Sequence, residues 1–280
     1  MSRRDIMNRL LIKKQAKASL KGNWGKAIGF CFVASILATI VPMICYIIAM
    51  ATSKTQQTDA GLQVTEMSVV GIIFVIIAIL ALIFITPLFT YATAKAFLMN
   101  NRGEDFSVGD VFNGFKEKPG KTIGVAFLRY IIIWVVYFIP SFVGGIFVGA
   151  AAMRLATIYD VLQTMAHGKT ILVIQTIAPH AALAALFFTI AITLGTIATF
   201  MLALAMYVRV DNPDMGVFEI LKTSRKIMHG RKLDLFVLCF SFIGWFFVCY
   251  ITCGIGFLWL APYIEANVAA FYDEAKDNII

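Results

Sequence analysis

The chain has 280 residues, of which 60% are hydrophobic and only 14% are charged, and its mean hydropathy is +0.84. Soluble domains carry about 25% charged residues and roughly half apolar ones, so the composition excludes an ordinary soluble fold. The formal net charge is +8. The basic residues lie between long apolar runs, which is typical of a membrane protein and argues against a nucleic-acid partner.

The apolar runs have the length of transmembrane helices. A bilayer core of about 30 Å requires about 20 apolar residues of helix. The first run is longer than the apolar region of a signal peptide, so we interpret it as an uncleaved first span. The predicted spans are Ile28–Met50, Val69–Tyr91, Ile123–Ala151, Ala181–Val208, Leu235–Ile251 and Ile255–Tyr272.

The last apolar region is too long for one upright helix and barely long enough for two. Thr252-Cys253-Gly254-Ile255-Gly256 lies in its middle, and two glycines around one residue predict a turn. The predicted fold class is therefore an all-α, polytopic transmembrane helical bundle with six spans, or five if this region crosses once. Short amphipathic helices are predicted at the cytoplasmic surface.

The loops differ in their content of lysine and arginine. Eight such residues precede the first span, five lie between spans two and three, and six lie between spans four and five. The loops on the other side hold three, which are Lys54, Arg154 and Lys169. Because basic loops are retained in the cytoplasm, the N-terminus is predicted to be cytoplasmic and the location to be the plasma membrane.

The three basic segments share an order of features, namely a candidate amphipathic helix, a glycine with basic neighbours, and a span. The glycines are Gly22, Gly114 and Gly230. This repetition predicts a single membrane domain, 1–280, made of three hairpin units. The units are 1–99, 100–210 and 211–280.

The third amphipathic segment follows Asn212, a candidate N-cap, and Pro213, which suits a first helical turn. Two interpretations are open for its helix. It lies among anionic headgroups, or it packs as a connector on its own bundle, which we favour. The residues predicted to share its apolar face are Val217, Phe218, Leu221 and Met228.

Residues that suggest chemistry are scarce. Arg129 lies about two turns into span three, from where its side chain can reach the headgroups. Glu265 is the only acidic residue in any predicted span. Asp160 and His167 could share a helix face, but no catalytic pair is predicted there. Since no zinc, phosphate-loop, nucleophile-elbow or dinucleotide motif is present, we predict no metal, no cofactor and no enzymatic activity.

Span three contains Gly145-x-x-x-Gly149, a motif that lets two helices approach closely. With Pro140 the same glycines would also suit a broken outer half of the kind found at transporter sites. Packing is the interpretation we favour. The segment 152–179 that follows is predicted to contain a helix from Arg154 to Met165.

Two parts of the sequence resemble a known family. They are Lys17–Trp24 near the N-terminus, and the strings Ser241–Trp245 and Thr252–Tyr263 in the C-terminal third. These segments resemble domain-of-unknown-function family 975, an uncharacterised family of bacterial integral membrane proteins. The resemblance implies a multi-span fold over the whole chain and transfers no catalytic residues.

A groove for binding or packing is predicted in the part of the chain that carries this resemblance. Its candidate residues are Ser241, Trp245, Thr252, Gly254, Gly256, Trp259, Pro262, Tyr263, Glu265 and Arg129. The function predicted first is that of a non-enzymatic envelope protein that contacts membrane lipids, another membrane protein or a second copy of itself. The alternatives are a carrier for a hydrophobic or lipid-like solute and, less favoured, an enzyme of lipid or envelope chemistry.

Overall fold

The computed structural model describes residues 9–57, 63–164 and 170–277, which are almost entirely helical. The helices are α1 (Arg9–Leu20), α2 (Trp24–Ala51), α3 (Val69–Phe84), α4 (Thr86–Asn101), α5 (Asn113–Lys116), α6 (Pro119–Thr164), α7 (Thr170–Met201), α8 (Ala205–Asp211), α9 (Val217–Ile227), α10 (Lys232–Phe240), α11 (Ile243–Ile251) and α12 (Phe257–Asp277). A 3₁₀ helix at Val108–Phe112 precedes α5. Strands β1 (Lys54–Gln57) and β2 (Gln63–Glu66) pair antiparallel between α2 and α3. The predicted helical class is confirmed for the described residues, with this hairpin as an addition.

Five helical segments of the described chain are long and apolar enough to cross a membrane. They are Trp24–Ala51, Val69–Asn101, Pro119–Ala156, Ile177–Asp211 and Lys232–Ile251. Large apolar side chains on them are exposed, such as Phe142 at 59% and Ile192 at 62%. Such a continuous apolar surface is what a lipid environment covers. The sixth predicted span forms α12, which is not among the five.

The chain forms two compact units, one within residues 1–127 and 203–280 and the other at Leu128–Leu202. In the first unit α4 packs on both α8 and α12, and these three helices supply many of the buried side chains, including Phe97, Val208 and Phe271. Helix α1 packs on α12, and α9 packs on α8. This core fixes the positions of the helix ends that form the candidate site.

In the second unit, α6 and α7 approach each other through glycines. A Cβ built on Gly195 would lie 2.2 Å from the ring of Tyr137, and one on Gly144 would lie 3.3 Å from Cβ of Phe187. The predicted pair Gly145 and Gly149 has no such neighbour within 4 Å among the described residues. The motif Gly145-x-x-x-Gly149 was therefore the wrong prediction for this helix contact, because the rotation of α6 places Gly144 against α7.

Helix α6 is continuous through Pro140 and extends to Thr164. The broken outer half that Pro140 and the glycines suggested is therefore wrong. The helix predicted at Arg154–Met165 is not a separate element, because the part of it that the structure describes, up to Thr164, continues α6. Residues 165–169 lie outside the described part of the chain.

Two of the three repeat glycines occupy the same kind of turn. Gly22 (φ +87°) precedes α2, and Gly230 (φ +82°) precedes α10, each by two residues. In the remaining segment the positive φ falls on Lys118 (φ +48°), directly before α6. Gly114 instead packs against α4, where an added Cβ would lie 2.1 Å from the carbonyl oxygen of Leu88. The three-unit organisation remains a prediction.

Helix α9 begins later than its sequence suggested. Asn212 ends α8 and donates to the carbonyl of Val208, so its assignment as an N-cap was wrong. The cap comes instead from Glu219, whose carboxylate accepts from the backbone N–H of Gly216 at 3.1 Å. Phe218 was assigned to the apolar face, but it is 76% exposed. The face that packs on the unit consists of Ile220, Leu221, Ser224 and Ile227.

Candidate functional site

One wall of the candidate site comes from α1. Ile12, Ala16 and Leu20 recur every four residues and are fully buried, which fixes the rotation of the helix on the core. Lys13 and Lys17 are also four residues apart, so their side chains leave the same face of α1. The Nζ atom of Lys13 lies 5.2 Å from the centre of the Phe242 ring, a cation–π distance.

The opposite wall is the hairpin of α11 and α12. Its turn places Cys253 (φ +50°) and Gly254 (φ +90°) in the left-handed region, and the Gly254 N–H donates to the Cys249 carbonyl at 2.8 Å. The Thr252 hydroxyl accepts from the N–H of Gly256 at 3.1 Å. A Cβ on Gly256 would lie 2.8 Å from Sγ of Cys249, so glycine is needed for this close return of the chain.

Between these walls lies a cavity of about 410 Å³, which we call the lysine–tryptophan cavity. This volume is within the range of roughly 300–1,000 Å³ found for small-molecule sites. From the N-terminal segment it is lined by Lys13, Lys17 and Trp24, and from the hairpin by Trp245, Val248, Cys249, Gly256, Trp259, Leu260 and Tyr263. Three of the four tryptophans of the chain therefore face one cavity.

The cavity has an apolar and a cationic part. Among the described residues, its lining contains two lysines and no carboxylate. Within the described residues, neither Lys13 nor Lys17 belongs to a salt bridge. Tyr263 packs edge-on against Phe242 at 5.7 Å between ring centres, which joins the aromatic wall to the ring beneath Lys13. This arrangement suits a molecule with an apolar body and a negatively charged end.

The structure brings together four of the ten residues predicted for the groove. Trp245, Gly256, Trp259 and Tyr263 line the cavity. Thr252 and Gly254 shape the turn beside it, as described above. The hydroxyl of Ser241 donates to the carbonyl of Leu238 within its own helix end, and it is not part of the lining.

The other three candidates lie elsewhere. Pro262 is buried inside α12. Glu265 is half-buried and accepts from the Tyr207 hydroxyl at 3.3 Å. Arg129 belongs to the second compact unit, whereas the cavity is formed within the first. The side chain of Asp160 and all of His167 lie outside what the structure describes.

Sequence reasoning missed the residues of α1. Lys13 was counted only as part of the cytoplasmic charge, and Lys17 and Trp24 were noted as the ends of a family-like segment, but none of the three was predicted to line the groove. One signal could have found them, because both segments that carry the family resemblance contribute to the cavity. Spacing supplied a second signal, since Trp245, Val248 and Cys249 share a helix face.

A polar cluster at the C-terminal ends of α4, α8 and α12 holds the core helices together; we call it the Arg102 cluster. Arg102 binds Asp211 with two hydrogen bonds of 2.7 and 3.0 Å, and its Nη2 also lies 2.7 Å from Asp273. Asp211 accepts further hydrogen bonds from the Tyr272 hydroxyl at 2.9 Å and from Lys276 at 2.7 Å. Three helix ends that are distant in sequence therefore meet.

A second cluster joins α4 and α8 to the segment before α6. The carboxylate of Glu117 accepts hydrogen bonds from Tyr91 and Lys95. Arg209 is fully buried, donates to the Glu117 carbonyl at 3.1 Å and lies 5.2 Å from the Tyr91 ring. Burial alone would raise the pKa of Glu117, but the hydrogen bonds from Lys95 and Tyr91 outweigh it, and the pKa is lowered.

Five helical segments of the described chain are long and apolar enough to cross a membrane and expose large apolar side chains, as expected of a multi-pass helical membrane protein. Within that class, the chain belongs to the family described as Protein of unknown function (DUF975), whose model matches residues 7–278. The family resemblance expected from the sequence is thereby confirmed. No curated protein and no solved structure shows significant similarity to the chain.

Proposed function

We propose that the chain crosses the plasma membrane six times, with both ends in the cytoplasm. The Arg102 cluster supports this topology because it places the end of α12 beside the ends of α4 and α8. The segments after α4 and α8 are rich in lysine and arginine, which favours a cytoplasmic position for all three ends. Helix α12 is then the sixth crossing, returning beside α11.

Fusions test this topology. Green fluorescent protein after Ile280 should fluoresce, because it folds well only in the cytoplasm, and alkaline phosphatase at the same position should be inactive. A matched phosphatase fusion after Ser53, in the connection between α2 and α3 that is predicted to lie outside, should be active. An active phosphatase at the C-terminus would refute the sixth crossing.

We further propose that the protein is a non-enzymatic lipid-binding protein and that the lysine–tryptophan cavity is its binding site. The observation that supports this proposal best is that three tryptophans and Tyr263 line one cavity. Trp245 and Trp259 are 56% and 52% exposed, so an apolar chain could reach them from the surrounding bilayer. Aromatic rings of this kind bury large apolar areas, and the indole N–H groups remain able to bond polar atoms.

Binding is favoured over transport by the architecture of α6. The carrier hypothesis depended partly on a broken third span, and α6 is continuous through Pro140. Substrate passage also usually involves charged side chains along the spans. Lipid binding at one cavity requires neither feature.

Native mass spectrometry of the protein extracted in a mild detergent tests this function. The wild-type chain should retain one lipid, and Trp245→Ala combined with Trp259→Ala should lose most of it. Trp134→Ala is the matched control, because Trp134 is also exposed to the surroundings, at 60%, but is absent from the cavity lining. Equal retention by all three proteins would refute the assignment of the site.

A further inference from the structure

We infer, on the basis of the proposed lipid-binding function, that the lipid in the lysine–tryptophan cavity is a net-anionic phospholipid whose headgroup binds Lys13 and Lys17. The inference starts from the position of the two lysines. Both side chains leave one face of α1, which flanks the buried stripe of Ile12, Ala16 and Leu20. Both lysines therefore line the cavity from the side of α1.

Lys13 and Lys17 differ from the paired basic residues of the first unit. Lys26 is paired to Asp105, Lys118 to Asp214, and Arg102 to two aspartates. Among the described residues Lys13 and Lys17 have no carboxylate partner, although they line a cavity with aromatic walls. A negatively charged group that lies between two lysines can form charge-assisted hydrogen bonds with both.

The shape of the cavity agrees with an amphiphile lying across it. Beyond the lysines, the lining consists of Trp245, Val248, Trp259 and Leu260, which offer apolar surface and indole N–H groups. Tryptophan is enriched where acyl chains meet headgroups in a bilayer. A headgroup at the lysines would therefore leave the start of an acyl chain against the tryptophans, with the remainder in the bilayer.

Tryptophan quenching by lipids with brominated acyl chains can measure this preference. Fluorescence from outside the cavity is removed by Trp134→Phe. The remaining tryptophans are then Trp24, Trp245 and Trp259, which all line the cavity. The full chain in mixed micelles is titrated with brominated phosphatidylglycerol, which is anionic, or with phosphatidylcholine carrying the same chains, which is zwitterionic. Both should quench to saturation, and the anionic lipid should do so at a lower mole fraction.

The effect of the lysines follows from the attraction of one basic residue to anionic lipid. Each lysine should increase the affinity for the anionic lipid about fivefold. The double change Lys13→Gln with Lys17→Gln should therefore reduce the preference for the anionic lipid by roughly 30-fold. The matched control is Lys14→Gln with Lys21→Gln, which removes two charges from the same region without touching the cavity lining. The control should keep its preference.

The outcomes separate the two proposals. Saturable quenching with equal affinity for both lipids would overturn the inference about charge while the lipid-binding function stands. The same loss of preference in the Lys14 and Lys21 control would also overturn it, because the attraction would then be a general property of the surface. Absence of saturable quenching by either lipid would refute the proposed function itself.

Discussion

Asp211 accepts hydrogen bonds from three side chains at once, and replacing it with asparagine should loosen the ends of α4 and α12 together. Its side chain is 7% exposed, whereas Arg102 and Lys276 are 36% and 35% exposed. Removing one partner of a fully buried ion pair costs about 3–5 kcal/mol. Because water screens the two cations here and Asp273 still binds Arg102, we expect about 2 kcal/mol for Asp211→Asn.

A loss of this size should lower the midpoint of thermal unfolding in detergent by about 4–8 °C. Intrinsic fluorescence can be used to follow the unfolding. The matched control is Asp214→Asn, which breaks the pair with Lys118 on the surface, where the aspartate side chain is 86% exposed. The control should unfold at the wild-type temperature. Equal midpoints for Asp211→Asn and the wild type would refute the structural role of the Arg102 cluster.

Two further changes test other contacts of the first unit. Gly114→Ala would place a Cβ 2.1 Å from the carbonyl oxygen of Leu88 and should cost about 1–3 kcal/mol of stability. Gly120→Ala is the control and should cost nothing, because no described atom would lie within 4 Å of its Cβ. Thermal unfolding of both variants checks this, and equal unfolding midpoints would contradict the packing of Gly114 on α4. The folded-state pKa of Glu117 lies below its ordinary value of 4.5, so its stabilising contribution is complete above that pH and is lost as the pH falls through the lowered value. Glu117→Gln should accordingly weaken the decline of the unfolding midpoint in acid, and an unchanged pH profile would count against the hydrogen bond from Lys95.

The outcome at Gly114 also bears on the predicted repeat. If Gly114 is required for contact with α4 while Gly22 and Gly230 are required for their positive φ, the three glycines serve two different purposes. The apparent repetition in sequence then reflects a shared spacing of helix, connector and span. Alanine at Gly22 and Gly230 would be penalised by backbone strain, because both glycines have a positive φ.

Local composition was sufficient to predict the long helices. Five of the predicted spans correspond to helical segments that are long and apolar enough to cross a membrane, because the length of an apolar run and the needs of backbone amides in lipid are properties of contiguous residues. The turn at Thr252–Gly256 was predictable for the same reason, although of its two glycines only Gly254 adopts a positive φ. The family membership likewise followed from short strings at the two ends of the chain.

Helix rotation and long-range contacts were decided only by the tertiary structure. Sequence could not choose between Gly144 and Gly145, because one residue rotates the contact by about 100° around a helix. Nor could it place Lys13 beside Trp259, since residues nearly the whole chain apart meet only through the packing of α1 on α12. The spans are determined by the hydrophobicity of contiguous residues. The cavity depends on how the buried faces of several helices pack together, and no single segment of the sequence contains that information.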